Sequence, residues 1–487
     1  MGCQPPQERA LQNEPDPYSE RYKRLVVLLL MTAYTFNAMD RSIISIVSQP
    51  MKLDLKLTDT QLGLLSGTAF AVLYAFGGIP IARLAERISR VNILTVALIV
   101  WSSLSALCAA AASFSQLLLI RVGVGVAEAG CSPPAHSLIS DYFEPSRRTS
   151  ALSIYTVGIS LGYLLAAVAG GYVAQHWGWR AACALVGLPG VAIAILIKIF
   201  IREPMRGASD CSSAARVRPS LPPFSIRCEL HELCAVGKSL LFDRPVLHMV
   251  LGVTVGGFAA YGFYAFVPPY FSRTFGLGYA TIGIIAGLAG GVAVGMGIVA
   301  GGFVADALAK RDARWYAMVP AIGGMIALPL YVLAILQADW RAATCLLALA
   351  GFFQYASLGP TFGVVQNVAG RRRRATATAL LYIFLNVFAL GGGPLFTGWA
   401  IDGFAQADFR SVGDTSFTVT CPGGAGIAIC NATLAHATRQ GMLVSLLFFG
   451  WASIHYFLAS AGIAKALKSA SLQDAAVLAS SVQSDSM

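Results

Sequence analysis

Asp40 and Arg41 stand side by side in YTFNAMDRSIISIV, residues 34–47, a stretch otherwise almost free of charge. A second apolar stretch, RVGVGVAEAG at 121–130, places Arg121 and Glu128 seven residues apart. Carboxylates held in poorly solvated surroundings can load and release protons. The planar fork of arginine can hold two oxygens of an anionic group. On a helix, positions i and i+7 share a face, so Arg121 and Glu128 can line one wall, with Glu128 about 10 Å further along. Asp40 and Arg41 point about 100° apart and do not simply neutralise each other. Asp40 is therefore expected to pair with Arg121, which leaves Arg41 for an anionic ligand, with Arg121 beside it. Asp40 and Glu128 are the candidate proton carriers. An ion facing lipid costs at least ~2.5 kcal/mol, so four of them imply partners, water or both. The competing reading is a permanent ion network tying two helices together. His136, two turns beyond Glu128 and next to Pro133 and Pro134, reads as structural.

These residues must be positioned by membrane-spanning helices. Of 487 residues, 56% are hydrophobic and 12% charged, against roughly 25% charged in soluble chains. A helical crossing needs about 20 apolar residues. Twelve stretches qualify: 24–48, 60–82, 92–112, 115–138, 149–174, 179–201, 245–272, 279–305, 314–336, 340–366, 375–401 and 440–464. The expected fold is an all-α membrane protein of two six-helix bundles. Its parts are an N-tail (1–23), an N-terminal bundle (24–201), a linker rich in Ser, Pro and Arg (202–243), a C-terminal bundle (244–465) and a C-tail (466–487). The first apolar run starts at Leu25 after a polar segment and without a small-residue cleavage site, so it is expected to stay as the first span. MGCQPP begins like a myristoylation signal, but Pro6 occupies the position that needs Ser or Thr.

The net charge of +11 is distributed in a way that excludes nucleic acid as its partner. With the N-terminus placed inside, Lys52, Lys56, Arg180, Arg273, Arg341, Arg410 and Arg439 fall outside, and Arg41 and Arg121 fall within spans. The remaining Lys and Arg lie in the tails and inner loops, RRRR at 371–374 among them, which is the positive-inside bias. Both termini are thus expected in the cytoplasm of a multi-pass protein of the inner (plasma) membrane. Cys421 and Cys430 share the last outer loop, where oxidation is permitted, and a disulfide is expected between them. Cys3, Cys211, Cys228 and Cys234 fall in cytoplasmic segments, and CELHELC at 228–234 fits no zinc spacing. AVGKS at 235–239 lacks the first glycine of a phosphate-binding loop, since Glu232 stands there. No metal and no cofactor is expected, and an enzyme is not the expected class.

The two bundles carry traces of a duplication. Gly63, Gly67, Ala71 and Ala75 recur 220 residues later as Gly283, Gly287, Gly291 and Gly295, and Glu86 and Arg90 recur as Asp306 and Lys310. Parallel six-plus-six repeats are a transporter architecture, with the substrate between the halves. Small residues let helices approach closely, so these stripes, with Gly158, Gly162, Ala166 and Gly170, are expected at an interface that moves. The C-terminal spans carry no ion in their interiors. They offer Tyr261, Phe263, Tyr264, Phe266 and Tyr270, then Phe352, Phe353, Gln354 and Tyr355, and finally Asn386. Tyr264 and Asn386 are the candidate substrate contacts among them. One charged wall facing one aromatic wall suits an ionic head on an apolar tail.

ARLAERISR at 82–90 resembles the signature loop of the major facilitator superfamily, with Ala82, Leu84, Glu86, Arg87 and Arg90 at matching positions; GGFVADALAKR at 301–311 is a second copy. The resemblance implies that Glu86, Arg87, Arg90 and Asp306 act as a latch between the halves on the cytoplasmic side. RVGVGVAEAG is similar to that superfamily's fourth-span motif. Together with NAMDR and AEAGCSPPAHSLISDYF, it resembles the Spinster branch. That resemblance implies alternating-access transport of a lysophospholipid or sphingoid phosphate, with proton coupling, by a monomer whose partners are an amphiphilic substrate, protons and membrane lipids. The alternative is proton-coupled efflux of amphiphilic drugs or other small organic ions, for which Asp40 and Glu128 would outweigh Arg41.

Overall fold

The computed structural model describes residues 18–205, 237–238, 240–369, 374–410, 417–421, 428–470 and 472. The MGCQPP segment, Cys211, CELHELC, Arg371 to Arg373 and most of the linker lie outside the described residues, as does the side chain of Glu86.

Ten helical segments are long and apolar enough to cross a membrane. One of them, Ser150–Phe200, is 51 residues long, enough for two crossings at 1.5 Å per residue. It belongs to the helix Pro145–Phe200, which breaks at Gly178 with φ of 85°, a backbone region that glycine reaches at no steric cost. Glu20–Ile46 is a further crossing of 27 residues, whose polar and charged residues lower its hydropathy. The crossings are therefore twelve among the described residues.

Their ends follow local chemistry. The second span starts in a capping box, in which Gln61 N–H donates to Thr58 Oγ1 and Thr58 N–H donates to Gln61 Oε1, so two otherwise orphaned donors are satisfied. Ser89, Ser113 and Asp339 cap the third, fourth and tenth spans by the same kind of bond. The second span runs as Asp59–Gly63, a π-helical turn Leu64–Thr68, then Ala69–Arg87. The eighth runs as Tyr279–Ala286, a π-helical Gly287–Ala293, then Val294–Ala309. The 220-residue shift seen in sequence carries the first irregular turn to residues 284–288, next to and partly overlapping the second, and π-turns mark places where a helix deforms locally.

The face carrying Glu20, Ser89 and Ile201 is the tail side; the face carrying Lys52, Asp59 and Gly276 is the far side. Toward the far side a single apolar core runs through both bundles and includes Ile43, Leu62 and Ala167 with Phe263, Ile282 and Ile401. Toward the tail side the core divides into one cluster around Trp101 and Leu138 and another around Met249 and Val364.

The glycine stripe of the eighth span measures the divergence against the fifth. A Cβ at Gly283 would stand 2.0 Å from Ala167 O, at Gly287 2.9 Å from Leu164, at Gly291 3.5 Å from Tyr163 and at Gly295 4.0 Å from Ser160. At Gly302 it would meet nothing within 4 Å. The bundles touch at the far side and part progressively toward the tail side. The fifth-span stripe differs from expectation: Gly158 and Gly162 lie against Met31 and Thr35 of the first span, and Gly170 against Ile43. That stripe builds the N-terminal bundle internally. The fifth-span residues whose backbone meets the other bundle at the seam are Ala167 and Gly171.

Candidate functional site

Glu128 is the last residue of the helix Phe114–Glu128, after which the fourth span breaks at Ala129 to Cys131 and resumes as Ser132–Tyr142, with Pro133 and Pro134 in its first turn. The negative end of a helix favours a cation there, and Arg41 of the first span supplies it. Arg41 Nε donates to Glu128 Oε2 at 2.8 Å. Arg121 Nη1 donates to Asp40 Oδ2 at 2.8 Å, so two ion pairs join the first and fourth spans. The Asp40 and Glu128 carboxyls also lie close enough for their charges to repel.

Aromatic rings complete this wall. The Arg41 guanidinium stands 4.8 Å from the Phe70 ring centre and 4.4 Å from that of Tyr74, and Arg121 stands 5.6 Å from Phe70. Such stacking favours a weakly hydrated guanidinium. The second span can lie this close because Gly125 has no side chain: a Cβ there would be 2.6 Å from Phe70 O.

Burial separates the four ions. Glu128, Asp40 and Arg121 have side-chain exposures of 0%, 3% and 1%, whereas Arg41 is 28% exposed. Arg41 Nη2, Arg121 Nε and Glu128 Oε1 are buried without a hydrogen-bond partner, as are both amide atoms of Asn37. Buried polar groups are normally paired. A cluster with this many open valences is built to receive something.

The facing wall comes from the other bundle. Tyr261 and Tyr382 lie within range of the Arg41 charge. Tyr261 also borders a cavity of about 60 Å³ lined by Gly252, Gly256, Gln354, Tyr355 and Leu385 among others. All of these lining residues belong to the C-terminal bundle.

Other sequence candidates are placed differently. Arg41 is not left over, as the spacing suggested, but holds Glu128. Tyr264 hydroxyl bonds to Tyr331 hydroxyl at 3.2 Å inside the C-terminal bundle, and Phe263, Phe266 and Tyr270 are core residues. Asn386 Nδ2 donates to Tyr382 O in its own helix at 2.8 Å, within the π-helical Leu385–Leu390. One of its amide N–H groups is thereby used locally. Arg90 is buried against its own bundle, bonded to Asp141, to Glu203 at 2.7 Å and to Ser137 Oγ at 2.8 Å, and so does not bridge the halves in this conformation. Arg87 is exposed, and Asp306 accepts from Tyr316 hydroxyl of its own bundle at 3.0 Å. Cys421 and Cys430 are disulfide-bonded. His136 packs edge-on against Tyr155, which stacks on Tyr34.

Spacing gave no sign of a second charged cluster. Asp59 Oδ2 accepts from Lys52 Nζ at 2.5 Å and Asp59 Oδ1 from Arg273 Nη2 at 2.6 Å. These residues flank apolar runs, where charge is ordinary. The signal available was that Asp59 and Arg273 both stand next to spans on the same face.

Comparison with known proteins agrees with this architecture. The Major Facilitator Superfamily family model matches residues 30–394, and the chain belongs to that superfamily: it is a multi-pass membrane transporter working by alternating access, not an enzyme. An MFS-type efflux pump of Mycolicibacterium smegmatis is 31% identical over 387 residues, covering 80% of this chain and 86% of the pump. The Protein spinster of Drosophila melanogaster is 25% identical, covering 87% of this chain and 70% of that one. A crystal structure of a bacterial homolog to the human lysosomal transporter Spinster, inward-facing and unoccupied, superposes with a TM-score of 0.82 at 31% identity, covering 92% of this chain and 99% of the other. Within the superfamily the chain falls in the Spinster branch.

Proposed function

We propose that the protein is a proton-coupled carrier of an amphiphilic anionic lipid, of the lysophospholipid or sphingoid phosphate class, with the tail side facing the cytoplasm. The observation that carries the reading is the Arg41–Glu128 pair. Arg41 is the exposed member of the cluster, has a free Nη2, and spends its Nε on Glu128. A proton arriving at Glu128 removes that claim. It also removes the repulsion between the Asp40 and Glu128 charges. Arg41 is then short of a counter-ion, and an anionic head group replaces the carboxylate. Proton and anion therefore bind cooperatively, because each removes the other's cost. The apolar tail faces Tyr261, Tyr355 and the cavity beside them.

The similarity to an efflux pump supports a second reading, extrusion of amphiphilic drugs or other organic ions. An amphiphilic cation would need Glu128 ionised and Arg41 displaced, so its affinity would rise with pH instead of falling. Proteoliposomes with an imposed pH gradient test the first reading: Arg41→Ala abolishes uptake of an anionic lysolipid, and normal uptake by that variant removes Arg41 from the head-group role.

A further inference from the structure

In the first span Tyr34, Asn37 and Arg41 stand three and four residues apart, so they share one face of the helix. At the level of Arg41 lies Glu128. Toward the tail side, the Tyr34 ring stacks on Tyr155 of the fifth span with ring centres 4.4 Å apart. Tyr155 meets His136 of the fourth span edge-on at 5.3 Å. The Tyr155 hydroxyl also lies beside Cys131 and Ser132, where the fourth span breaks and resumes after Glu128. Three spans thus converge on one line that starts at Glu128 and runs toward the tail side.

The polar atoms on this line are unpaired. Glu128 Oε1, both amide atoms of Asn37 and the Tyr155 hydroxyl are buried without a hydrogen-bond partner. Asn37 and Tyr155 are 1% and 0% exposed. Leaving such groups bare is costly, and water bridging them removes the cost, because each offers a donor, an acceptor or both. The line has an open end, since His136 is exposed. Its other end is shielded. Glu128 is 0% exposed, and its partner Arg41 is the 28% exposed member of the pair. A proton coming from the Arg41 side meets a cation, and the same side receives the anionic head group.

We propose that Asn37, Tyr155 and His136 form, with bridging water, a proton path inside the N-terminal bundle that joins Glu128 to the tail side behind Arg41. The inference rests on the proton reading above and adds the route. On release, Glu128 gives its proton to the adjoining water. Each group between takes one proton and passes one on, so none changes its charge. The last proton appears on the His136 imidazole, which hands it to solvent. Glu128 is left a carboxylate and takes Arg41 back. Proton and anion therefore leave by different routes, and neither has to wait for the other. The three path residues touch no substrate, and His136, structural by its place beside two prolines, is the outlet.

A pH jump on the full-length protein in nanodiscs tests the path without a substrate. The readout is the infrared band of the protonated Glu128 carboxyl, assigned by its loss in Glu128→Gln. Tyr155→Phe keeps the stacked ring and removes only the hydroxyl. The band should then appear about 100-fold more slowly, the low end of what a positioned proton-transfer group contributes, with its midpoint pH unchanged. His136→Phe, which keeps an aromatic ring against Tyr155, should do the same. The double variant should be no slower than the slower single one, because the two act in series. Parental rates in both single variants, or a shifted midpoint at parental rate, would overturn the route and leave the proton reading standing. Losses that multiply in the double variant would also overturn it. A Glu128 band that does not titrate between about pH 5 and pH 8 would overturn the proton reading itself.

Discussion

Two of the buried charge clusters among the described residues each have two cations and two carboxylates, and they are built to opposite specifications. Asp40, Arg41, Arg121 and Glu128 belong to one bundle, join two of its helices, and leave three of their own polar atoms unpartnered. Lys52, Asp59, Arg273 and Asp402 are shared between bundles and bonded across the seam. An incomplete cluster next to open space can exchange partners. A complete one at a backbone-tight seam holds two bodies together. Position decides which of these a set of ions does, since the residue types are nearly the same.

The comparison can be broken most severely at Arg121. Removing one partner of a buried pair leaves an uncompensated charge and costs about 3–5 kcal/mol. Arg121→Ala should lower thermal stability in detergent by that order, and Asp40→Asn in the same chain should recover part of it. A variant as stable as the parent would show that Asp40 needs no partner. Glu128→Gln removes an exchangeable group without stranding a carboxylate. Gradient-driven transport should fall about 100-fold, the upper range of site-to-site coupling, while binding in the absence of a gradient persists. Retained coupling would move the proton to another residue.

The glycine stripes separate the seams at intermediate scale. Gly283→Ala sets a methyl against Ala167 O of the other bundle, so it should slow transport about tenfold by hindering far-side closure, with little change in melting temperature. Gly162→Ala meets Thr35 O of its own bundle at 2.3 Å and should cost stability by about 1–3 kcal/mol. Equal effects at the two positions would erase the distinction between a moving seam and a static one.

The smallest effect belongs to Asp54, an exposed acid at the far side. Hydrogen bonds from Arg180 and from the Trp179 indole N–H hold its carboxyl below the usual range. Its contribution is present in full above the ordinary unfolded value of about 3.9 and is lost as pH falls through the depressed folded value. Both members of the ion pair are over 40% exposed, so Asp54→Asn should cost only about 0.5 kcal/mol at neutral pH after solvent screening. Denaturation midpoints at pH 7 and pH 3 measure it, and a large loss would show that the Asp54–Arg180 pair is not screened as its exposure implies.

Much of this was legible beforehand. Charge depletion shows spans, and the 220-residue shift shows two halves. Asp40, Arg41, Arg121 and Glu128 stand out because an ion inside an apolar run is rare. Asp40 pairs with Arg121 as the spacing suggested, whereas the Arg41–Glu128 pair was harder to see. The helix break after Glu128 turns the acid toward Arg41, and i+7 spacing says nothing of that break. The far-side cluster went unseen because Lys52, Asp59, Arg273 and Asp402 flank apolar runs, where charge is normal and only the fold brings them together. Gly162 and Gly283 sit in identical small-residue spacing, yet one faces its own bundle and the other its neighbour. Asn386 is a polar residue in an apolar stretch, and one of its amide N–H groups bonds to a carbonyl of its own helix.

The central claim is that a proton on Glu128 frees Arg41 for an anion. It is tested most directly by the affinity of lysophosphatidylglycerol, whose phosphodiester keeps one charge throughout, titrated between about pH 5 and pH 8. The parent protein should bind tighter by up to about tenfold for each unit the pH falls through the Glu128 titration, and Glu128→Gln should bind tightly at every pH. A flat profile in the parent, or an unchanged slope in Glu128→Gln, would contradict the account.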